Sequence, residues 1–162
     1  MIIREYRSED CKKIVDLFFG TVHAVNSVDY TEIQLNAWAP KDMDLYEWDK
    51  RLSNNYSVIV EKDNIIIGFG VADDTGYFDL LYTHKDYQGI GVATLITNNI
   101  EKYIWQNGIQ TITTAVSITA KPFFEKRGYV VLKKQNVECR GQFFINFKMQ
   151  KNIPFSDFAN KK

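Results

Sequence analysis

The sequence predicts a mixed, mostly antiparallel α/β sheet with helices on both faces, built as one domain. Three observations carry this. The chain has 162 residues, of which 45% are hydrophobic and 25% charged, enough for one ordinary core without a metal or disulfide to hold it. At Ser57 the apolar pattern changes from helical spacing to period two. Beyond Gly91 a helical stretch runs straight into another strand, and a strand–helix–strand unit places two parallel neighbours inside an otherwise antiparallel sheet.

Taken in order, Ile2 to Tyr6 alternates and predicts a first strand. Ser8 is the predicted cap of a helix whose apolar positions are Ile14, Leu17, Phe18, Val22 and Val25. Thr31 and Gln34 fit a capping box for a second helix running to Trp38, which Pro40 stops, and Asp44 opens a third through Trp48 to Leu52. Ser57–Lys62 and Ile65–Asp73 are β-branched runs around Asp63-Asn64 and predict a hairpin. The turn Asp74-Thr75-Gly76 extends it to a third antiparallel strand, Tyr77–Thr83. The helix after Gly91 carries Val92, Leu95, Ile96, Ile100 and Tyr103 on one face and ends at Asn107-Gly108. A strand over Gln110–Val116 follows. Next comes a two-turn helix with Pro122 at its start and Gly128 past its end. The last two strands, Tyr129–Glu138 and Gln142–Gln150, flank Arg140-Gly141. The predicted domain spans 1–152, and 153–162 is a tail. Phe143, Phe144 and Phe147 leave two readings open, a homodimer edge or core.

Composition excludes several classes. Twenty basic and twenty acidic residues give a formal net charge of zero, so no overall field draws a phosphate backbone or an anionic membrane, and neither nucleic acid nor membrane is an expected partner. The start of the chain alternates and turns acidic at Glu9-Asp10, unlike a secretory leader, and no apolar run reaches the roughly 20 residues that span a bilayer. Cys11 and Cys139 are far apart and form no Cys-x-x-Cys pair. No metal site is expected, and two unpaired thiols suit a cytoplasmic protein.

The most informative segment is Gln88-Gly89-Ile90-Gly91-Val92-Ala93, between a strand and an amphipathic helix. Glycines let a ligand approach the backbone, and the amides of Gly89, Gly91, Val92, Ala93 and Thr94 converge at a helix N-terminus, where a phosphate or pyrophosphate fits. The helix dipole supplies only about 0.3–2 kcal/mol against the roughly 8 kcal/mol of micromolar binding, so the ligand is larger than phosphate. A P-loop is excluded because Thr94-Leu95 stand where its Lys-Ser/Thr falls. A dinucleotide fingerprint fails as well, since position 94 is Thr and the segment does not follow the first strand of a parallel sheet. The glycines are also readable as no more than a tight helix entry.

Gln88, Gly91 and Ala93 fit the Q/R-x-x-G-x-G/A signature, and the chain resembles the GNAT superfamily of N-acetyltransferases. Asp79-Leu80-Leu81-Tyr82 is similar to that family's fourth strand, and Ala120 to Tyr129 to its penultimate helix. Within the family, the aromatic first third and Glu138-Cys139-Arg140-Gly141 resemble the small bacterial YafP-like branch. The resemblance implies acetyl transfer from acetyl-CoA to an amine acceptor. It implies the pyrophosphate on Gln88 to Thr94, the pantetheine arm on the backbone of Leu81, Tyr82 and Thr83, and Ser117 and Phe124 beside the thioester end.

Direct attack needs a neutral amine, and a lysine-type amine is only about one part in 2,500 neutral at pH 7. Asp79, on the fourth strand and expected to point away from Phe78 and Leu80, is one candidate base, and His23 is the other. The family's usual tyrosine for protonating the leaving thiolate is replaced by Phe124. Ser117 or Tyr129, water, or unassisted departure remain as alternatives. His23, Tyr30, Trp38 and Trp48 are the candidate acceptor-binding residues, because aromatic faces suit an amine and the cofactor elements fill the later chain. The departure at Phe124 also leaves open a catalytically weak acyl-CoA sensor or protein-interaction module.

Overall fold

The computed structural model describes residues 1–154. Its strands are β1 (Ile2–Glu5), β2 (Tyr56–Lys62), β3 (Ile65–Ala72), β4 (Tyr77–Thr83), β5 (Thr111–Ser117), β6 (Val130–Cys139) and β7 (Gln142–Asn152). They form one sheet in the order β1-β2-β3-β4-β5-β7-β6, antiparallel throughout except for the parallel β4–β5 neighbours. The helices are α1 (Cys11–Ala24), α2 (Glu32–Trp38), α3 (Leu45–Ser53), α4 (Val92–Gln106) and α5 (Lys121–Lys126). The predicted element order is reproduced.

Two apolar layers lie on the two faces of the sheet. Ile14, Leu17, Phe18 and Val22 of α1 pack with Leu35, Leu52, Phe69 and Leu80 on one face. Ile96, Ile100 and Ile104 of α4 pack with Ile67, Phe78, Ile112 and Met149 on the other. Helix α4 comes unusually close, because β3 presents Gly68 and Gly70 beneath it. A Cβ on Gly68 would lie 2.5 Å from Val92 Cγ1, and one on Gly70 2.4 Å from Ile96 Cγ2.

The local signals act as their chemistry requires, with two corrections. Thr31 Oγ1 accepts from Gln34 N at 3.2 Å while Gln34 Oε1 accepts from Thr31 N at 2.9 Å, closing the capping box of α2. Asp44 caps α3 by accepting from the amides of Tyr46 and Glu47. Ser8, however, does not cap α1. It begins a 3-10 turn over Ser8–Asp10, and the Asp10 carboxylate accepts from Arg7 N at 2.9 Å and pairs with Arg4. The expected tail boundary also shifts. Ile153 is buried, and its N–H donates to Gln110 O at 2.7 Å, so it belongs to the packed domain. The rest of that tail from residue 155 lies outside the described residues. The three β7 phenylalanines divide, with Phe144 buried, Phe147 packed against the α4-side layer and Phe143 exposed. Among the described residues no helix is long and apolar enough to cross a membrane.

Candidate active site

β4 and β5 pair only at Tyr77 with Thr113 and Phe78 with Thr114. Thr114 Oγ1 donates to Phe78 O at 2.8 Å beside the last rung. Beyond it, the edge of β4 that faces β5 has no ladder partner among the described residues, so the peptide groups there, apart from Thr83 O, which already accepts from Thr21 and Gln88, are available to an extended ligand. A cleft of about 680 Å³ opens at this divergence and reaches α4 on one side and the α1–α2 region on the other.

The α4 end contains the stretch that the sequence predicts to hold an anion. Gly91, at φ +91°, is the N-cap and carries no side-chain cap, and the first intrahelical bond runs from Leu95 N to Gly91 O. The amides of Val92, Ala93 and Thr94 therefore begin the helix without helical partners. Gly89, at φ +75°, is also left-handed, and a Cβ on either glycine would meet nothing within 4 Å. These glycines serve backbone conformation and access rather than packing. Ile90 lies in the same loop but its side chain is exposed. Gln88 ties the loop down, its side-chain amide donating to Thr83 O at 2.8 Å and to His84 O at 3.3 Å. Thr83 O accepts from Thr21 Oγ1 as well. An activated acyl thioester carried on a long pyrophosphate-bearing arm fits this set: uncapped amides for the anion and a free strand edge for the arm.

Asp79 faces the cleft for a reason that strict alternation hides. In the β3–β4 register Val71 pairs with Leu80 and Ala72 with Phe78, so Asp79 is the extra residue of a β-bulge. Phe78 and Leu80 consequently join opposite apolar layers, which corrects the expectation that Asp79 points away from both together. The bulged carboxylate accepts from Arg51 Nε at 2.8 Å and Nη2 at 2.6 Å, a bidentate pair joining β4 to α3. That carboxylate pushes the Arg51 guanidinium up from its ordinary value. Arg51 lines the cleft and was not singled out in the sequence, since an arginine late in a charged helix reads as solvated surface.

The remaining candidates separate. Tyr30 and Trp38 line the cleft, edge to face with ring centres 5.3 Å apart, and Phe144 completes the wall at 6.0 Å from Trp38. The Tyr30 hydroxyl accepts from Ile118 N and donates to Ile145 O. Burial pushes it up. Trp48 instead packs against Phe18 and Phe69 in the α1-side layer, away from the cleft lining. His23 is also outside the lining. Its Nε2 bonds Ala39 O at 2.8 Å and its ring lies on Phe19, so it serves the α1–α2 packing. Ser117 lines the cleft, with its Oγ accepting from Ala120 N at 3.1 Å. Tyr129 is buried on the α4-side layer and donates to Glu101 Oε1 at 2.9 Å. Burial and the Glu101 carboxylate push its phenol up, and it does not line the cleft. Phe124 is 3% exposed and packs edge to face on Phe78 and Tyr129 while still lining the cleft. Asn26, Cys139 and Asn146 also border the space, and of these Asn26 and Asn146 carry no sequence pattern of their own.

A parallel pair that parts after two paired positions, with an uncapped glycine-led helix at its mouth, defines the architecture of an acetyltransferase. The Acetyltransferase (GNAT) domain model matches residues 26–151, and the chain belongs to the GNAT family. It is 32% identical over 148 residues to the uncharacterised N-acetyltransferase YafP of Escherichia coli, covering 91% of this chain and 93% of that protein. A GCN5-related N-acetyltransferase structure from Rhodopseudomonas palustris superposes with a TM-score of 0.91 at 30% identity, over 94% of this chain and 95% of that one. The fold is also that of the PaiA N-acetyltransferase of Thermoplasma acidophilum, solved with coenzyme A, at a TM-score of 0.75 and 16% identity over 93% and 98% of the two chains.

Proposed function

We propose that this N-acetyltransferase takes acetyl-CoA along the free edge of β4 and passes the acetyl group directly to an amine held on the opposite side of the same cleft. The observation that carries the reading is the continuity of that cleft from the uncapped α4 terminus, past the β4–β5 divergence, to Asp79 and the Tyr30–Trp38 wall. The amides at Gly89, Gly91, Val92, Ala93 and Thr94 receive the pyrophosphate, and the backbone of Leu81 to Thr83 receives the pantetheine arm. Bound acetyl-CoA supplies an activated thioester. The acceptor nitrogen bonds to the acetyl carbon as the carbon–sulfur bond breaks, and the proton lost from nitrogen balances the one gained by sulfur. Asp79 receives the acceptor amine, since each of its oxygens keeps a lone pair beyond its bond to Arg51. Ser117 is the hydroxyl we assign to the leaving sulfur, because its oxygen already accepts from Ala120 N and its O–H is free to turn into the cleft.

Calorimetry of acetyl-CoA binding tests the site. Gly91→Asp places a carboxylate at the anion position, and Gly108→Asp puts the same side chain on a left-handed glycine at the far end of α4, at φ +79°. Loss of micromolar binding in the first and not the second is the expected result. Equal binding in both sinks the assignment, and tight binding without turnover on a broad amine panel supports an acyl-CoA sensor instead.

A further inference from the structure

Arg51 and Asp79 are the only lysine, arginine, aspartate or glutamate side chains among the described residues that line the cleft. They face one another in a bidentate pair, so this half of the site is neutral as a whole while displaying one cation and one anion side by side. Neither group is exhausted. Arg51 spends Nε and Nη2 on Asp79, and its Nη1 donates to no described residue. A carboxylate offers about four lone-pair sites, of which two are taken. The same cleft carries an uncharged aromatic wall of Tyr30, Trp38 and Phe144, in which the Tyr30 hydroxyl bonds two backbone groups.

From this arrangement we infer that the acceptor is a small zwitterion, an amine that also carries a carboxylate, of the α-amino acid type with an apolar or aromatic side chain. Arg51 takes the carboxylate through its unused edge, Asp79 takes the amine, and the side chain lies on the aromatic wall. The inference rests on the acetyltransferase reading above and narrows its acceptor. Charge balance favours the zwitterion over the alternatives. A polyamine or amino sugar brings several positive charges to a cleft whose single carboxylate is already matched by Arg51, and so leaves charges with no partner there. An amine without a carboxylate leaves the outer edge of Arg51 unanswered, whereas an α-amino acid meets both groups and keeps the site neutral.

The test is release of CoA thiol at saturating acetyl-CoA with four acceptors: L-phenylalanine, phenylalaninamide, phenethylamine and spermidine. Phenylalanine is expected to be turned over with the highest kcat/KM. In Arg51→Gln its KM rises about 10–100-fold and its kcat/KM advantage over phenethylamine is lost, the span expected for losing charge-assisted hydrogen bonds. Arg51→Lys, which keeps the charge but not the fork, recovers part of that preference. Melting curves confirm that both variants are folded, and a variant that does not fold is replaced by the comparison of phenylalanine with its amide on the unaltered protein. Equal turnover of the amide or phenethylamine, preference for spermidine, or acetyl-CoA binding with no acetylation of phenylalanine each overturns the proposal while leaving the transferase reading intact. Failure to bind acetyl-CoA at all overturns both.

Discussion

The close approach of α4 to the sheet makes Gly68 a control point for the α4 end of the cleft, where the proposed function places the pyrophosphate. A Cβ at position 68 would lie 2.5 Å from Val92 Cγ1, 3.0 Å from Ile96 Cδ1 and 3.2 Å from Tyr82 O, so Gly68→Ala cannot be accommodated by a flexible side-chain tip. Val92 is the first residue of α4, immediately after the Gly91 cap. Overpacking a filled core costs about 1–3 kcal/mol, and the more restricted unfolded chain returns about 0.4–1 kcal/mol, leaving a net loss of about 1–2 kcal/mol. For a chain of this length that is a fall in melting temperature of roughly 2–8 °C. The helix start must also move, and misaligning one charge-assisted amide contact, worth about 1.5–3 kcal/mol, weakens acetyl-CoA by about tenfold or more. Gly70→Ala is the internal comparison. Its Cβ would meet Ile96 Cγ2 at 2.4 Å and Ile100 Cδ1 at 3.3 Å, one and two turns further along, so it destabilises similarly but weakens binding less. Differential scanning calorimetry and titration with acetyl-CoA read the two effects. A Gly68→Ala protein that melts and binds like the parent, or a Gly70→Ala protein that loses more affinity, would refute the claim that this contact sets the helix position.

Two other variants separate structural from functional roles. Tyr129→Phe removes the hydrogen bond to Glu101, which also holds Arg127 at 2.9 Å and Lys151 at 3.4 Å. It is expected to cost about 1.5–3 kcal/mol in urea denaturation while turnover persists, whereas Ser117→Ala lowers kcat with little change in stability. A Tyr129→Phe enzyme without turnover would return that phenol to the catalytic role its sequence position suggested. Asp10 governs part of the acid limb. Burial alone would raise its carboxyl, but hydrogen bonds from the Arg4 guanidinium and Arg7 N–H outweigh burial and hold it below the ordinary carboxylate value. A depressed folded value stabilises fully above the unfolded one, about 3.9, and the contribution is lost as pH falls through the lower folded value. Asp10→Asn should therefore be less stable at neutral pH and show a shallower loss below about pH 4. An unchanged acid limb would remove Asp10 from that account.

The elements were legible because each carries its own local signal. The Thr31–Gln34 box, Asp44, Gly91 and the Asp63-Asn64 turn act within a few residues of themselves, and each stands where it was read. Ser8 misled because a cap competes with whatever else the chain can bond. Here Asp10, tied to Arg4 across the start of the fold, takes the amide of Arg7 instead. Ile153 misled for a similar reason, since its burial depends on Gln110 O, more than forty positions earlier in the chain.

The two halves of the candidate site differ in legibility for a physical reason. In the proposed function pyrophosphate and pantetheine are met by backbone groups, and backbone conformation is dictated by nearby residues, glycines above all, so that half is written in a short stretch of sequence. The acceptor half is made of side chains from α1, α2, α3, β4 and β7, brought together only by the sheet order. Asp79 shows the limit most clearly. Its orientation is set by a bulge, and a bulge exists only relative to a partner strand, so no alternation within Tyr77–Thr83 reports it. The same bulge turns Asp79 towards α3, where Arg51 meets it. One extra residue in one strand therefore unites a base candidate read from the sequence with an arginine that had no signal of its own. It follows that acceptor choice in this fold can change through register and bulge position while the cofactor loop stays as it is, and that specificity is to be sought at Asp79 and Arg51 before it is sought in the signature.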